Sequence, residues 1–94
     1  MDKKGKRYAA VTAIEMMARV VNLNERAPKG IFYVYEFNGG TEGVTFAKYR
    51  WVGTDLETII HEYAYLDGEE FGRPLAIIEQ LIEAEELKQL EVQE

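Results

Sequence analysis

Residues 31–52 carry the strongest structural signal in the chain. The run IFYVYEF at 31–37 is β-branched and aromatic, a composition that favours strands. It is followed by NGGTEG, which holds three glycines in six residues and indicates a turn. The run VTFAKYRWV at 44–52 then has the composition of a returning strand. The sequence therefore predicts an antiparallel β-hairpin on which the helices pack.

The charges on the second strand predict the register of this hairpin. A register with Tyr33 opposite Tyr49 keeps the charged side chains Lys48 and Arg50 off the face that carries Tyr33. A slip by one residue would mix the charged and aromatic side chains. The preferred register centres a three- or five-residue loop on Thr41, in which Gly43 can supply the positive φ.

Residues 8–23, before the hairpin, have the pattern of a helix. The polar residues recur at spacings of three and four and form one narrow stripe: Thr12, Glu15, Arg19 and Asn22. The other positions are almost all apolar, so we expect most of the circumference to be buried by the rest of the fold or by a second subunit. Pro28 prevents the helix from continuing. Residues 1–7 are basic and are predicted to be a flexible tail before a single domain at 8–94.

Two further helices are predicted after the hairpin. Thr54 and Glu57 have the spacing of a capping box, and a helical apolar stripe follows at Leu56, Ile59, Ile60 and Tyr63. Asp67-Gly68 would end this helix, although residues 63–66 could instead form a short strand. Pro74 suits the first turn of the last helix. The predicted fold class is α+β: an N-terminal helix, an antiparallel hairpin, and two C-terminal helices packed on the sheet.

Charge is distributed unevenly along the chain, whose net charge is −6. Residues 1–30 carry seven Lys and Arg against three Asp and Glu, whereas residues 61–94 carry two against ten. An acidic surface repels nucleic acid phosphates and attracts basic partners. We therefore expect a basic protein partner and no direct nucleic acid binding.

The residue inventory argues against catalysis. The chain contains no cysteine and no serine, which removes thiol and serine nucleophiles, disulfides and thiolate metal sites. Its single histidine, His61, shares a predicted helix face only with Glu57, and a metal site needs three or four ligands. We expect no enzymatic activity, no metal and no cofactor. The lack of cysteine fits a reducing cytoplasm, and no apolar stretch has the length of a membrane span.

The acidic end supplies the main functional hypothesis. Glu79, Glu83 and Glu86 would line the outer side of the last helix and meet a basic partner. Carboxylates at helical spacing can imitate a phosphate backbone, as in small acidic viral proteins that block host nucleases and restriction enzymes. The sequence thus predicts a non-enzymatic interaction module, with an inhibitor of that anti-defence class as its narrower version. It also predicts a homodimer that covers part of the apolar first helix or the apolar end at Leu87, Leu90 and Val92.

A small-ligand site is the alternative. In the predicted register, Phe32, Phe46, Lys48 and Arg50 share one face of the hairpin. Aromatic side chains interleaved with basic ones on a sheet are typical of surfaces that stack on a base or a nucleotide. Such a ligand would bind to this face of the hairpin, in a cleft formed by the dimer.

Overall fold

A computed structural model of the chain describes residues 3–68 and 72–93. This part of the chain is α+β, as predicted, and its elements are α1 (Lys3–Arg26), β1 (Ile31–Asn38), β2 (Gly43–Val52), β3 (Asp55–Tyr65) and α2 (Ala76–Gln93). The strands form one antiparallel sheet in the order β1-β2-β3. Neither helix of the described chain is long and apolar enough to cross a membrane.

The helix predicted after Thr54 is wrong, because that segment is the third strand. Its run Thr58-Ile59-Ile60 is β-branched, and Thr58 and Ile60 pair with β2. A β-bulge opposite Lys48 and Tyr49 inserts Ile59 as an extra residue in β3, so two adjacent isoleucines imitate the spacing of a helix. The described chain therefore has three strands and a single C-terminal helix.

The predicted register of the hairpin is also wrong, by one residue. Tyr33 lies opposite Lys48, and Phe32 lies opposite Tyr49. The connection is the four-residue turn 39–42, and its positive φ of 55° belongs to Glu42 and not to Gly43, the residue predicted for it. The Asn38 side chain stabilises this turn by accepting hydrogen bonds from the backbone amides of Gly40 and Thr41, at 2.9 and 3.1 Å.

Helix α1 is longer than predicted and is hydrogen-bonded to β1. It begins at Lys3, so residues 3–7 of the predicted tail are helical, while residues 1–2 lie outside the described chain. It ends at Arg26, two residues before Pro28. Near that end, the Asn24 side chain donates to the Tyr33 carbonyl at 2.9 Å and accepts from its amide at 2.7 Å. Asn24 thereby satisfies backbone groups of an edge strand, which ties the two elements together.

Both helices cover the same face of the sheet, and the core lies between them and the strands. Its buried side chains are Ala9, Ala13, Met16, Val20, Leu23, Tyr33, Val44, Phe46, Ala64, Leu66, Ile78 and Ile82. The strand members of this set all point to one face in the observed register. Ala47 is also buried but points to the opposite face and does not belong to this cluster. We call the first side the covered face.

The turn after β3 returns the chain to α2 by a close approach. The Tyr65 amide donates to the Arg73 carbonyl at 2.9 Å. A Cβ atom on Gly68 would lie 2.2 Å from the Cα atom of Pro74, so only glycine fits there. Pro74 stands just before α2, close to the position predicted for it.

Candidate interaction surfaces

The sheet face away from the helices carries a row of aromatic rings. Phe32 and Tyr49 are paired across β1 and β2, and their rings stack with centroids 5.3 Å apart and planes 27° apart. Trp51 follows on β2, with its ring centroid 6.3 Å from that of Phe32, and 51% of its surface is exposed. Leu56 lies opposite Trp51 on β3. We call these four side chains the aromatic face.

The β-bulge in β3 keeps the aromatic face apolar. If β3 were regular and Ile59 were paired with Tyr49, Glu57 would lie opposite Trp51. With the bulge, Leu56 takes that place, and Glu57 lies opposite Arg50 on the other side of the sheet. Arg50 and Glu57 form an ion pair there, at 2.9 Å. One inserted residue thus separates a charge pair from an apolar surface.

At the other end of β3, Tyr63 is held in a fixed orientation on the same side of the sheet. The Arg73 guanidinium lies 4.6 Å from the centroid of the Tyr63 ring. The Tyr65 ring contacts the Tyr63 ring edge-on, with centroids 5.9 Å apart. Arg73 also donates to the Tyr63 carbonyl at 2.8 Å and to the Glu62 carboxylate at 2.5 Å. Because Arg73 is paired in this way, its charge is balanced locally.

Helix α1 exposes a second apolar surface on the side opposite its buried residues. We call it the outward stripe, and it consists of Val11, Ile14, Ala18 and Val21. Ile14 is 66% exposed, and the two valines are about half exposed. Beside the stripe, an apolar depression of about 210 Å³ is lined by Ala10, Ala13, Ile14, Met17 and Phe37. The structure thus leaves uncovered much of the apolar surface that the sequence pattern of this helix contains.

The three acids predicted to meet a partner differ in their surroundings. Glu86 accepts two hydrogen bonds from Arg19 of α1, at 2.5 and 3.1 Å, and this contact raises the pKa of Arg19. Glu79 and Glu83 are exposed and have no ion-pair partner in the described chain. Two of the three predicted carboxylates are therefore exposed without an ion pair, and the third joins the two helices.

Glu85 is a buried carboxylate on the inner side of α2, only 2% exposed. It accepts hydrogen bonds from the Tyr33 hydroxyl at 3.0 Å, from Lys48 at 2.5 Å and from Lys88 at 2.9 Å. Burial alone would raise its pKa, but these three donors together outweigh burial and hold the pKa of Glu85 below its usual value. Burial and the bond to Glu85 raise the pKa of Tyr33.

This buried network explains why the hairpin register was predicted wrongly. Lys48 points to the covered face because Glu85, 37 residues later, receives its ammonium group. A cavity of about 390 Å³ adjoins the network and is lined by Arg26, Pro28, Ile31, Tyr33, Lys48, Glu85, Lys88 and Gln89. Tyr33, Lys48 and Lys88 all donate to Glu85, so the network is best understood as a structural element of the core.

The residues predicted for a ligand site do not come together. Phe46 is fully buried on the covered face, whereas Phe32 lies on the aromatic face. Lys48 and Arg50 are paired with carboxylates on the side opposite Phe32. His61 is exposed on β3, opposite Ala47, and does not share a helix face with Glu57. In the described part of the chain, no group of three metal-ligating side chains forms.

Sequence reasoning missed both the aromatic face and the buried Glu85. Phe32, Tyr49 and Trp51 become neighbours only in the observed register. For Glu85 a signal existed, because Ile78, Ile82 and Glu85 are spaced by four and three, which puts Glu85 on the buried side of a helix. No protein-family model, curated protein or solved structure matches the chain.

Proposed function

We propose that the protein is a non-enzymatic interaction module that binds a protein partner through its aromatic face. The supporting observation is the half-exposed Trp51, which stands beside the stacked pair Phe32 and Tyr49. Tryptophan and tyrosine are enriched among the few interface residues that contribute most of the binding free energy. An exposed apolar patch on a small protein is typical of an interaction site.

The aromatic face is also ordered before any partner arrives. Its rings contact one another, and the Trp51 amide donates to the Gly30 carbonyl at 2.9 Å, which fixes the backbone under the indole. A surface that is already ordered loses little side-chain entropy on binding, so more of the contact energy is available for affinity. This supports a stable docking role for the face.

Replacing Trp51 by alanine tests the proposal. The immobilised wild-type protein should retain its partner from a lysate of its source, and Trp51→Ala should weaken retention by roughly 30-fold, the effect of losing a ~2 kcal/mol anchor. Leu87→Ala is the matched control, because Leu87 is 54% exposed on α2, away from the sheet. Equal retention by Trp51→Ala and the control would contradict the proposal.

The acidic side of α2 supports a narrower version, in which the partner is basic. Glu79 and Glu83 face solvent, and the chain carries a net charge of −6. A nucleic-acid-processing enzyme presents a basic surface of the required kind, so the protein would act as an inhibitor by occupying it. In this version the partner contacts both carboxylates, and electrostatic attraction speeds association.

The basic-partner version is tested with Glu79→Gln/Glu83→Gln. The double variant should bind the captured partner more slowly and show a shallower dependence on salt. Glu86 stays unchanged, because removing its charge would break the pair with Arg19. Glu91→Gln, an exposed acid further along α2, is the control. If the double variant keeps the wild-type rate and salt dependence, the acidic surface is not the contact.

The stacked rings also favour a second candidate, a ligand with a flat ring such as a nucleotide. Phe32 and Tyr49 stack at 27°, and a base could add to the row they form with Trp51. Trp51 is the chain's single tryptophan, so its fluorescence reports on this surface alone. A panel of nucleotides should then quench the fluorescence and raise the melting temperature. No change in either signal at millimolar nucleotide would reject this candidate.

We further propose that the protein is a homodimer. The outward stripe supports this, since Ile14 at 66% exposure is costly to leave in water on a helix of a small domain. Static light scattering should give twice the chain mass at micromolar concentration. A single-chain mass at every concentration up to millimolar would contradict the homodimer.

A further inference from the structure

We infer that two copies of the chain pair through their outward stripes, with the two α1 helices antiparallel and related by a two-fold axis at Met16. This inference rests on the homodimer proposed above and adds its orientation and register. Met16 itself is buried in the core. The two-fold axis therefore lies on the solvent side of α1, level with Met16 along the helix. The same patch on both copies then forms the interface, as two-fold symmetry requires.

The spacing of the stripe suits a helix pair. Val11, Ile14, Ala18 and Val21 are separated by three, four and three residues, which is the seam of a coiled coil. Such a seam packs helices at a small crossing angle, so contact continues along their length. The stripe has room for about three helical turns of contact within α1.

Antiparallel pairing about Met16 matches large side chains with small ones. Val11 of one copy lies beside Val21 of the second copy. Ile14 lies beside Ala18 of the second copy, so the bulkiest residue of the stripe meets the smallest. Interdigitation of large and small side chains gives close packing without overlap. A parallel pair would instead set Ile14 against Ile14 and Ala18 against Ala18, with crowding at one level and a gap at the other.

The charges at the ends of the stripe select the same arrangement. Arg7 stands four residues before Val11, and Glu25 stands four residues after Val21, so both continue the line of the stripe. Both are exposed, and neither has an ion-pair partner in the described chain. In the antiparallel pair each Arg7 meets Glu25 of the second copy. In a parallel pair Arg7 would meet Arg7 and Glu25 would meet Glu25, which is repulsive.

Cysteine cross-linking tests the orientation, because the chain contains no cysteine of its own. Val11→Cys and Val21→Cys are made as separate proteins at exposed positions. In the antiparallel pair the two copies of position 11 are about 15 Å apart along the axis, well beyond the Cα separation that a disulfide spans. Oxidation should therefore give a cross-linked dimer in an equal mixture of the two variants and almost none in either variant alone.

Charge exchange tests the register independently. Arg7→Glu and Glu25→Arg should each weaken dimerisation by roughly 3- to 30-fold, since each dimer has two such pairs and exposed pairs are weak. The double variant Arg7→Glu/Glu25→Arg should recover the wild-type dissociation constant, because the pair is restored with its signs exchanged. Lys29→Glu, an exposed charge reversal outside the helix, is the control and should leave dimerisation unchanged.

The outcomes separate this inference from the proposals on which it rests. A dimer in light scattering that cross-links in Val11→Cys alone, or fails to cross-link in the mixture, overturns the antiparallel pairing and leaves the homodimer intact. A dimer in which the double charge exchange does not recover affinity overturns the register. A monomer at all concentrations overturns both the homodimer and its geometry. None of these results affects partner binding by the aromatic face, which Trp51→Ala tests separately.

Discussion

The two faces of the sheet carry similar side chains and differ in what covers them. On the covered face, Tyr33 and Phe46 stack with centroids 6.0 Å apart, and both are almost fully buried. On the aromatic face, Phe32 and Tyr49 stack at 5.3 Å without a helix above them. The ring contacts alone do not distinguish the two faces. Only the burial does, and burial decides how much each ring contributes to folding.

The two faces also differ in where their charged side chains lie. Lys48 and Glu85 lie on the covered face, among the core residues, whereas the aromatic face between Phe32 and Leu56 is uncharged. A protein that minimised its exposed apolar surface would have the reverse arrangement. The rings of the aromatic face are therefore poorly placed for folding stability and well placed for contact with another molecule.

The largest difference should appear when one ring of each face is removed. Phe46→Ala should lower the free energy of unfolding by about 3–5 kcal/mol, because a fully buried phenylalanine leaves a cavity. Phe32→Ala should cost about 1–2 kcal/mol, because its surroundings are partly solvent. Urea unfolding of both variants measures the two values. Equal losses would mean that the aromatic face is covered in solution.

Glu85→Gln tests whether the charge on the covered face is structural. Removing the carboxylate leaves Lys48 in the core without an anionic partner, so the variant should lose about 3 kcal/mol at pH 7. Glu79→Gln, exposed on the same helix, is the control and should change stability by less than about 0.5 kcal/mol. Urea unfolding at fixed pH compares the two. A loss in Glu85→Gln no larger than that of the control would show that the pairs to Glu85 contribute little.

The pH dependence of stability in the wild type and in Glu85→Gln tests the role of this carboxylate independently. The pKa of Glu85 is lowered in the folded state, so its stabilisation is complete above the ordinary glutamate value of about 4.3. It is lost as the pH falls below that value and through the folded pKa. Wild-type stability should therefore fall more steeply with acidification than that of Glu85→Gln. Parallel curves from pH 7 to pH 3 would contradict the assignment.

Trp51→Ala should destabilise the fold by only about 1 kcal/mol, because half of the side chain already lies in solvent. From the sequence alone, a loss of roughly 3–5 kcal/mol would mark Trp51 as a core residue and a small loss would mark it as exposed. Thermal unfolding of a dilute sample decides between them. A large loss would indicate that another copy or a ligand buries the indole.

His61→Ala should have the smallest effect, within about 0.5 kcal/mol in stability and with partner binding unchanged. His61 is exposed on β3, beside the buried Ala47 and outside the aromatic face. Urea unfolding and partner capture measure the two quantities. Loss of binding with an intact fold would extend the interaction surface along β3.

The sequence predicts the elements that depend on local patterns. The first helix, the hairpin and the last helix follow from periodicity, β-branched runs and the proline before α2. The third strand was missed because Ile59, the bulge residue, interrupts the strand alternation and leaves Leu56, Ile59, Ile60 and Tyr63 at helical spacing. Thr54 and Glu57 then resembled a capping box, although Glu57 pairs with Arg50 across the sheet.

The register and the aromatic face could not be predicted from the hairpin alone. Lys48 faces the core only because its ammonium group pairs with Glu85. A contact between residues 37 positions apart cannot be predicted from a local sequence pattern. Because Lys48 was predicted to point away from the core, Tyr49 and Trp51 were predicted on the wrong face of the sheet. The acidic end was predicted as one surface, yet it divides into exposed, helix-pairing and buried carboxylates, at Glu79, Glu86 and Glu85 respectively.

Both helices pack on one side of the sheet, and this arrangement determines the valency of a dimer. In the pairing inferred here, α1 lies between its own sheet and the second copy, so the order of layers is sheet, helix, helix, sheet. The two aromatic faces then point away from each other at opposite ends of the assembly. Each dimer can bridge two partner molecules, or hold a two-fold symmetric partner with an avidity far above that of one face, provided that the partner's span matches the distance between them.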